Sequence, residues 1–176
     1  MSVTLVLGGA RSGKSSFAEK TALRSCASPI YLATARAGDD EMAQRICQHQ
    51  LRRGSAWRLI EEPLDIAPVL ASTAEGSAIL VDCLSIWLSN LMEADRNIEA
   101  TGAELSSVLE RTRADVVLVA NEVGLAIVPD NALARRYRDE AGLLNQRVAA
   151  AASDVVFMAA GLPMVLKRDG SVIHGE

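Results

Sequence analysis

Aromatic side chains are scarce in this chain: two Trp, two Tyr and two Phe among 176 residues, against a hydrophobic content of 49%. A core must therefore be filled by aliphatic residues, the composition of layered α/β packing. Basic residues are outnumbered, 18 Lys and Arg against 22 Asp and Glu for a net charge of −4, and no basic run is interleaved with aromatics. That balance argues against a broad nucleic-acid surface, which needs clustered cations to neutralise phosphates. No apolar run approaches the ~20 residues that cross a bilayer, so no membrane span is expected. The first residues carry no basic segment ahead of their apolar run, which speaks against a secretory leader. Cys26, Cys47 and Cys83 are odd in number and show no paired spacing. They suit a reducing compartment rather than a disulfide framework or a zinc site. Internal repeats and low-complexity tracts are also missing. The expectation is a soluble cytoplasmic protein whose 176 residues make one domain.

Five short apolar runs remain, at residues 3–7, 30–33, 78–82, 116–120 and 155–159. Helical stretches separate them, which is the βαβ rhythm of a mostly parallel sheet covered on both faces. The longest helix is expected after Asn131, a good N-cap, with Leu133, Tyr137, Ala141, Leu144, Val148 and Ala151 forming its core stripe. Lys167-Arg-Asp169-Gly170-Ser-Val predicts a tight hairpin at the sheet edge. Residues 93–102 are polar and read as a surface loop.

Between the first strand and the first helix stands Gly8-Gly9-Ala10-Arg11-Ser12-Gly13-Lys14-Ser15, matching G-x-x-x-x-G-K-[ST] at every fixed position. Such a loop curls so that its N–H groups converge on phosphates at a helix N-terminus. Lys14 is then expected to reach the β- and γ-phosphates, and the Ser15 hydroxyl to ligate Mg²⁺. The motif predicts binding of a nucleoside triphosphate.

Other residues admit two readings each. Asp82 ends the third apolar run and either holds Mg²⁺ opposite Ser15 or caps a helix over 83–92. His49 lies in an expected helix over 39–53, sharing a face with Met42 and Ile46, with Arg45 and Arg52 along the edge. Bracketing arginines disfavour its charged form and leave a neutral, nucleophilic imidazole, although a histidine so placed is often structural. Those arginines are also able to clamp an oligophosphate. The second histidine, His174, sits in the tail and carries little weight. Asn121-Glu122-Val-Gly124 follows the fourth run, where open sheets build their crevices. Glu122 either orients an acceptor hydroxyl or a metal-bound water, or forms with Asn121 a turn that Gly124 completes. Arg135, Arg136 and Arg138 fit a phosphate contact or, more simply, a solvated helix face.

Taken together, these residues resemble the bifunctional adenosylcobinamide kinase / adenosylcobinamide-phosphate guanylyltransferase family. The likeness runs through the glycine-rich loop, Tyr31-Leu-Ala-Thr-Ala35, Asp39-Asp-Glu-Met-Ala-Gln-Arg-Ile46 leading to His49, and Trp57-Arg-Leu-Ile-Glu-Glu-Pro63. It continues in Asp82-Cys-Leu-Ser-Ile-Trp-Leu-Ser-Asn-Leu91, Asn121-Glu-Val-Gly-Leu-Ala-Ile-Val-Pro129, Arg138-Asp-Glu-Ala-Gly-Leu-Leu-Asn-Gln146 and Gly161-Leu-Pro-Met-Val-Leu-Lys167. Departures stand at Gly54, where the family usually has Pro, and at Ala126, where it often has Gly. The resemblance implies a P-loop, RecA-like α/β fold and two reactions. One phosphorylates adenosylcobinamide with ATP or GTP. The other transfers GMP from GTP to adenosylcobinamide phosphate through a guanylylated His49. It also implies guanine-nucleotide contacts from Ala33, Thr34, Ala35, Gln50, Leu51, Arg52, Arg53, Glu61 and Asp82. A plain P-loop small-molecule kinase with a structural His49 is the alternative. Homo-oligomerisation is left open.

Overall fold

Runs of Val, Ile, Leu and Ala without interruption suit strands buried on both faces. The computed structural model describes residues 1–35 and 56–173, and in it each of the five apolar runs is a strand. They form β1 (Val3–Gly8), β2 (Ile30–Ala33), β4 (Ala78–Asp82), β5 (Asp115–Asn121) and β6 (Asp154–Ala159), joined by β3 (Arg58–Glu61), β7 (Leu162–Arg168) and β8 (Ser171–Val172). One sheet holds them in the order β3-β2-β4-β5-β1-β6-β7-β8. Pairings from β3 through β6 are parallel, and β7 and β8 are antiparallel. The expected edge hairpin is present, with Arg168 opposite Ser171.

Period-two alternation sorts the strand residues between the two faces. Leu5, Leu7, Ile79, Val81, Val116 and Leu118 enter one core together with α2 (Ile66–Ala71), α3 (Leu84–Glu93), α4 (Ile98–Arg111) and α5 (Ala132–Ala151). Val6, Tyr31, Leu80, Val117 and Val119 enter the other, against α1 (Lys14–Ser25) through Ala18 and Ala22. Asp82 is two residues beyond Leu80, so the same alternation turns it toward the α1 side. That parity is what puts a carboxylate on the face of the glycine-rich loop.

Asn131 caps α5 as expected, its Oδ1 accepting from Ala134 N at 2.7 Å. The other end of α5 is closed from outside the helix. Lys167 Nζ, on β7, donates to the carbonyls of Ala149, Ala150 and Ala152 at 3.1, 3.0 and 2.6 Å. A cation at a helix C-terminus satisfies orphan carbonyls and opposes the negative end of the dipole. Thus β7 is tied to the body by charge as well as by its ladder.

Three expectations are corrected. Residues 93–102 are not a loop throughout, since α4 begins at Ile98. Asn97 caps it by accepting from Ala100 N at 3.0 Å, and Ile98, Gly102, Leu105 and Leu109 form its buried stripe. Leu133 does not join the core stripe of α5 and is exposed, whereas Ala141, Leu144 and Val148 are buried. Asp82 is not a helix cap: Cys83 holds the N-cap position of α3, with no side-chain cap bond. The strand β3 lay outside the apolar runs because it is an edge strand with Arg58, Leu59 and Glu61 exposed. The expected helix over 39–53, with His49, Gln50, Leu51, Arg52 and Arg53, and His174 in the tail lie outside the described residues.

Candidate active site

The glycine-rich loop is wedged between β1 and the β6–β7 turn. A Cβ on Gly8 would meet Met158 O at 2.5 Å and Ser12 Oγ at 2.8 Å, so no side chain fits there. Gly13 opens α1 at φ 97, in the left-handed region, where a Cβ would also lie 3.2 Å from Gly161 Cα. Gly161 N donates to Ser12 O at 3.0 Å and fastens the loop to that turn. These contacts are the reason for glycine at both positions.

Lys14 is buried, and its Nζ donates to Gly9 O at 2.5 Å and to Ser12 Oγ at 3.5 Å. Desolvation lowers its pKa, opposed in part by the negative charges that Cys83 and Asp82 can carry. The ammonium is therefore held over the loop by carbonyl and hydroxyl oxygens, with a carboxylate close enough to be felt. Ser15, one residue on, is half-buried in the first turn of α1.

Asp82 accepts a hydrogen bond at Oδ2 from the Tyr31 hydroxyl. Tyr31 sits opposite Leu80 in the β2–β4 ladder, so its ring reaches diagonally along one face to the end of β4. The ring is buried, and it packs edge-to-face with Trp57 at a centroid distance of 5.7 Å and an interplanar angle of 87°. A packed aromatic thus aims a donor at the carboxylate and restricts its rotamers.

Around the ends of β2, β3 and β4 lies a buried polar network. Thr34, fully buried, donates from Oγ1 to Cys83 O at 2.9 Å and accepts from Cys83 N at 2.9 Å. Asn90 Nδ2 donates to Thr34 O at 2.8 Å and to Pro63 O at 2.9 Å. Trp87 Nε1 donates to Leu64 O at 2.7 Å. Helix α3 thereby clamps the segments that leave β2 and β3. Burial raises the Cys83 thiol to about 11, with Asp82 adding to the rise, so it is a neutral thiol at neutral pH.

Sequence reading assigned Asn90 and Tyr31 no role of their own. A signal for Asn90 was available: it is a polar residue within the apolar surface made by Leu84, Trp87, Leu88 and Leu91. Tyr31 gave none, because its partner is 51 residues away.

At the end of β5, Glu122 N donates to Gly8 O at 3.0 Å. Glu122 Oε1 accepts from Gly124 N at 2.5 Å, which realises the turn reading of that carboxylate. Asn121 N donates to Ser85 Oγ at 2.7 Å. Arg135 Nη1 is used on Pro129 O and Asp130 O at 3.0 and 2.8 Å, and Arg138 pairs with Asp139 at 2.9 Å. Lys14, Asp82 and Thr34 therefore gather at the ends of β1, β4 and β2. Glu61 is level with Ala33 at the end of β3 and exposed, with three strands between β3 and β1.

A strand, a glycine loop and a helix at the rim of a parallel sheet define a P-loop nucleotide-binding protein of RecA-like fold. Its backbone is similar to that of the flagellar accessory protein FlaH from Methanocaldococcus jannaschii, with a TM-score of 0.53 over 97% of this chain and 80% of that one. At 15% identity this is a likeness of fold alone. The sequence matches the cobinamide kinase / cobinamide phosphate guanyltransferase family over residues 4–166, and the chain belongs to that family. It is 48% identical over 168 residues to the bifunctional adenosylcobalamin biosynthesis protein CobP of Pseudomonas aeruginosa, covering 94% of this chain and 97% of that one. To the bifunctional adenosylcobalamin biosynthesis protein CobU of Salmonella typhimurium it is 40% identical over 180 residues, covering 93% and 98%. Among the described residues, no helix is long and apolar enough to cross a membrane.

Proposed function

We propose that this protein phosphorylates adenosylcobinamide with ATP or GTP and then transfers GMP from GTP to the product, in the cytoplasm, giving adenosylcobinamide-GDP and pyrophosphate. Membership of the family over residues 4–166 carries this reading. The loop with its buried Lys14 supports it, because phosphoryl transfer is catalysed mainly by positioning and charge compensation.

In the first reaction the hydroxyl oxygen on the aminopropanol arm attacks the γ-phosphorus and the nucleoside diphosphate leaves. The backbone N–H groups of Gly9, Ala10, Arg11, Ser12, Gly13, Lys14 and Ser15 cradle the phosphates. Lys14 exchanges Gly9 O for a phosphate oxygen and takes up charge developing on the leaving group. In the second reaction an imidazole nitrogen of His49 attacks the α-phosphorus of GTP and pyrophosphate leaves. A phosphate oxygen of adenosylcobinamide phosphate then attacks the same phosphorus, the P–N bond breaks, and the imidazole is restored. Ala33, Ala35, Glu61 and residues 50–53 are assigned to the guanine nucleotide; Thr34, fully buried with its hydroxyl spent on Cys83, is assigned instead to holding this segment in place. A carboxylate such as that of Glu61 matches the paired N–H donors on the guanine edge.

Ser15 and Asp82 suit Mg²⁺. Both offer oxygen, and among the described residues no group of three His, Cys, Asp or Glu gathers to hold a metal. A cation at this rim would take most of its ligands from phosphates and water, as Mg²⁺ does. When bound it supplies neutralisation of phosphate charge.

Incubation with GTP labelled at the α-phosphate, followed by mass mapping, tests the scheme. The expected label is on His49, stable in base and lost in acid. His49→Ala should lose both the label and the GDP product while phosphorylation of adenosylcobinamide persists. Formation of the GDP product by His49→Ala through the same labelled intermediate would make His49 structural and the mechanism wrong.

A further inference from the structure

We infer that the loop leaving β5, together with the first turn of α5, is the platform on which the corrin ring of the acceptor lies. This rests on the reading of the acceptor as a cobinamide. Leu125, Ile127, Val128 and Leu133 are 82%, 94%, 62% and 67% exposed. Four large aliphatic side chains are thus exposed within nine residues of chain, and exposed apolar side chains gathered in one stretch mark docking sites.

Position selects the occupant. The loop is rooted on the phosphate loop itself, through Glu122 N on Gly8 O at 3.0 Å. Its far end is held by Arg135 on the carbonyls of Pro129 and Asp130 at 3.0 and 2.8 Å. The backbone is tethered at both ends, while the aliphatic side chains between remain uncovered among the described residues. An acceptor phosphorylated at this rim must bring one hydroxyl to the γ-phosphate and leave the rest of its mass outside. In a cobinamide that mass is a broad, largely apolar macrocycle fringed with amides, joined to the reacting hydroxyl by a short arm. A loop rooted by its backbone on Gly8 and carrying exposed Leu, Ile and Val beyond it matches that layout. Arg136, exposed one turn after Leu133 on α5, makes no ion pair among the described residues. Its guanidinium supplies donors for the amide oxygens of the fringe.

The double variant Leu125→Asp/Ile127→Asp tests this, with Leu125→Met/Ile127→Val as the conservative control. The acidic pair should raise the KM for adenosylcobinamide by about tenfold or more, the scale of losing one buried aliphatic contact. Its kcat and its labelling by GTP alone, which needs no corrinoid, should stay within about twofold. The conservative pair should retain the wild-type KM. Equilibrium dialysis of adenosylcobinamide against the nucleotide-free protein reads the same contact without turnover. A Kd and KM unchanged in the acidic variant would overturn the platform. An unchanged KM with altered subunit assembly in sedimentation would assign the surface to a second copy of the chain. A wild type that neither phosphorylates adenosylcobinamide nor takes up GMP, yet still binds it in dialysis, would remove the reaction scheme and leave the platform standing.

Discussion

The ends of β4 and β5 lie on the same rim of the sheet and are finished in opposite ways. After β4 the chain passes straight into α3, and in the interior the Thr34 hydroxyl binds the backbone of Cys83 while the Asn90 amide donates to Thr34 O. After β5 it leaves in a loop whose Leu125, Ile127 and Val128 face outward. Buried polar groups bonded as they are after β4 fix the backbone of that strand end in one arrangement. A bulky apolar acceptor is met by area, which the second arrangement offers. Nearness to one loop does not impose one kind of surface.

The largest expected effect comes from removing the charge at the buried side of this comparison. Lys14→Ala should slow phosphorylation and GMP transfer by on the order of 10²–10³, typical of losing one preorganised electrostatic group. Steady-state rates near wild type would place the reaction centre away from the glycine-rich loop.

Stability separates the two strand ends next. Asn90→Ala leaves Thr34 O and Pro63 O without their donor and should cost about 2 kcal/mol in urea unfolding. Leu125→Ser, on the exposed loop, should shift the same midpoint by no more than about 0.5 kcal/mol. Equal losses would mean that the β5 loop is packed as tightly as the α3 clamp and would erase the contrast.

The smallest intervention is chemical. With its pKa pushed to about 11 by burial and by Asp82, Cys83 at pH 8 has a thiolate fraction on the order of 10⁻³. Raising the pH toward 11 populates the thiolate, so alkylation should accelerate upward and never downward in pH. Peptide mapping at pH 8 should show Cys26, which is only half-buried, modified well before Cys83. Prompt modification of Cys83 would show that the β4–α3 junction opens readily.

Much of the fold was legible because its signals are local. Val3 to Leu7 states a buried strand, which runs on through Gly8, and Asn131 states a helix start through its own side chain. Residues 93–102 misled because their polarity outweighed the stripe of Ile98, Gly102, Leu105 and Leu109, which emerges only when the window runs on to Arg111. β3 escaped because an edge strand has one ladder and little burial, and its exposed Arg58 and Glu61 interrupt any apolar run. At the site, Lys14 and Asp82 were readable from a motif and from a strand end. The Tyr31 contact that orients Asp82 was not.

Sequence alone determined the features whose causes lie within a few residues. These are the left-handed turn at Gly13, the helix that Lys14 opens, and the alternation that sends Leu80 and Asp82 to one face. Tertiary structure decided what meets them there. Met158 excludes a side chain at Gly8, Tyr31 reaches Asp82 across a ladder, Asn90 ties β2 to β3, and Glu122 roots the aliphatic loop on Gly8. Each of these contacts joins segments far apart in the chain. Its partner is set by sheet order and register, which arise from packing the whole sheet and are written in no single stretch of residues.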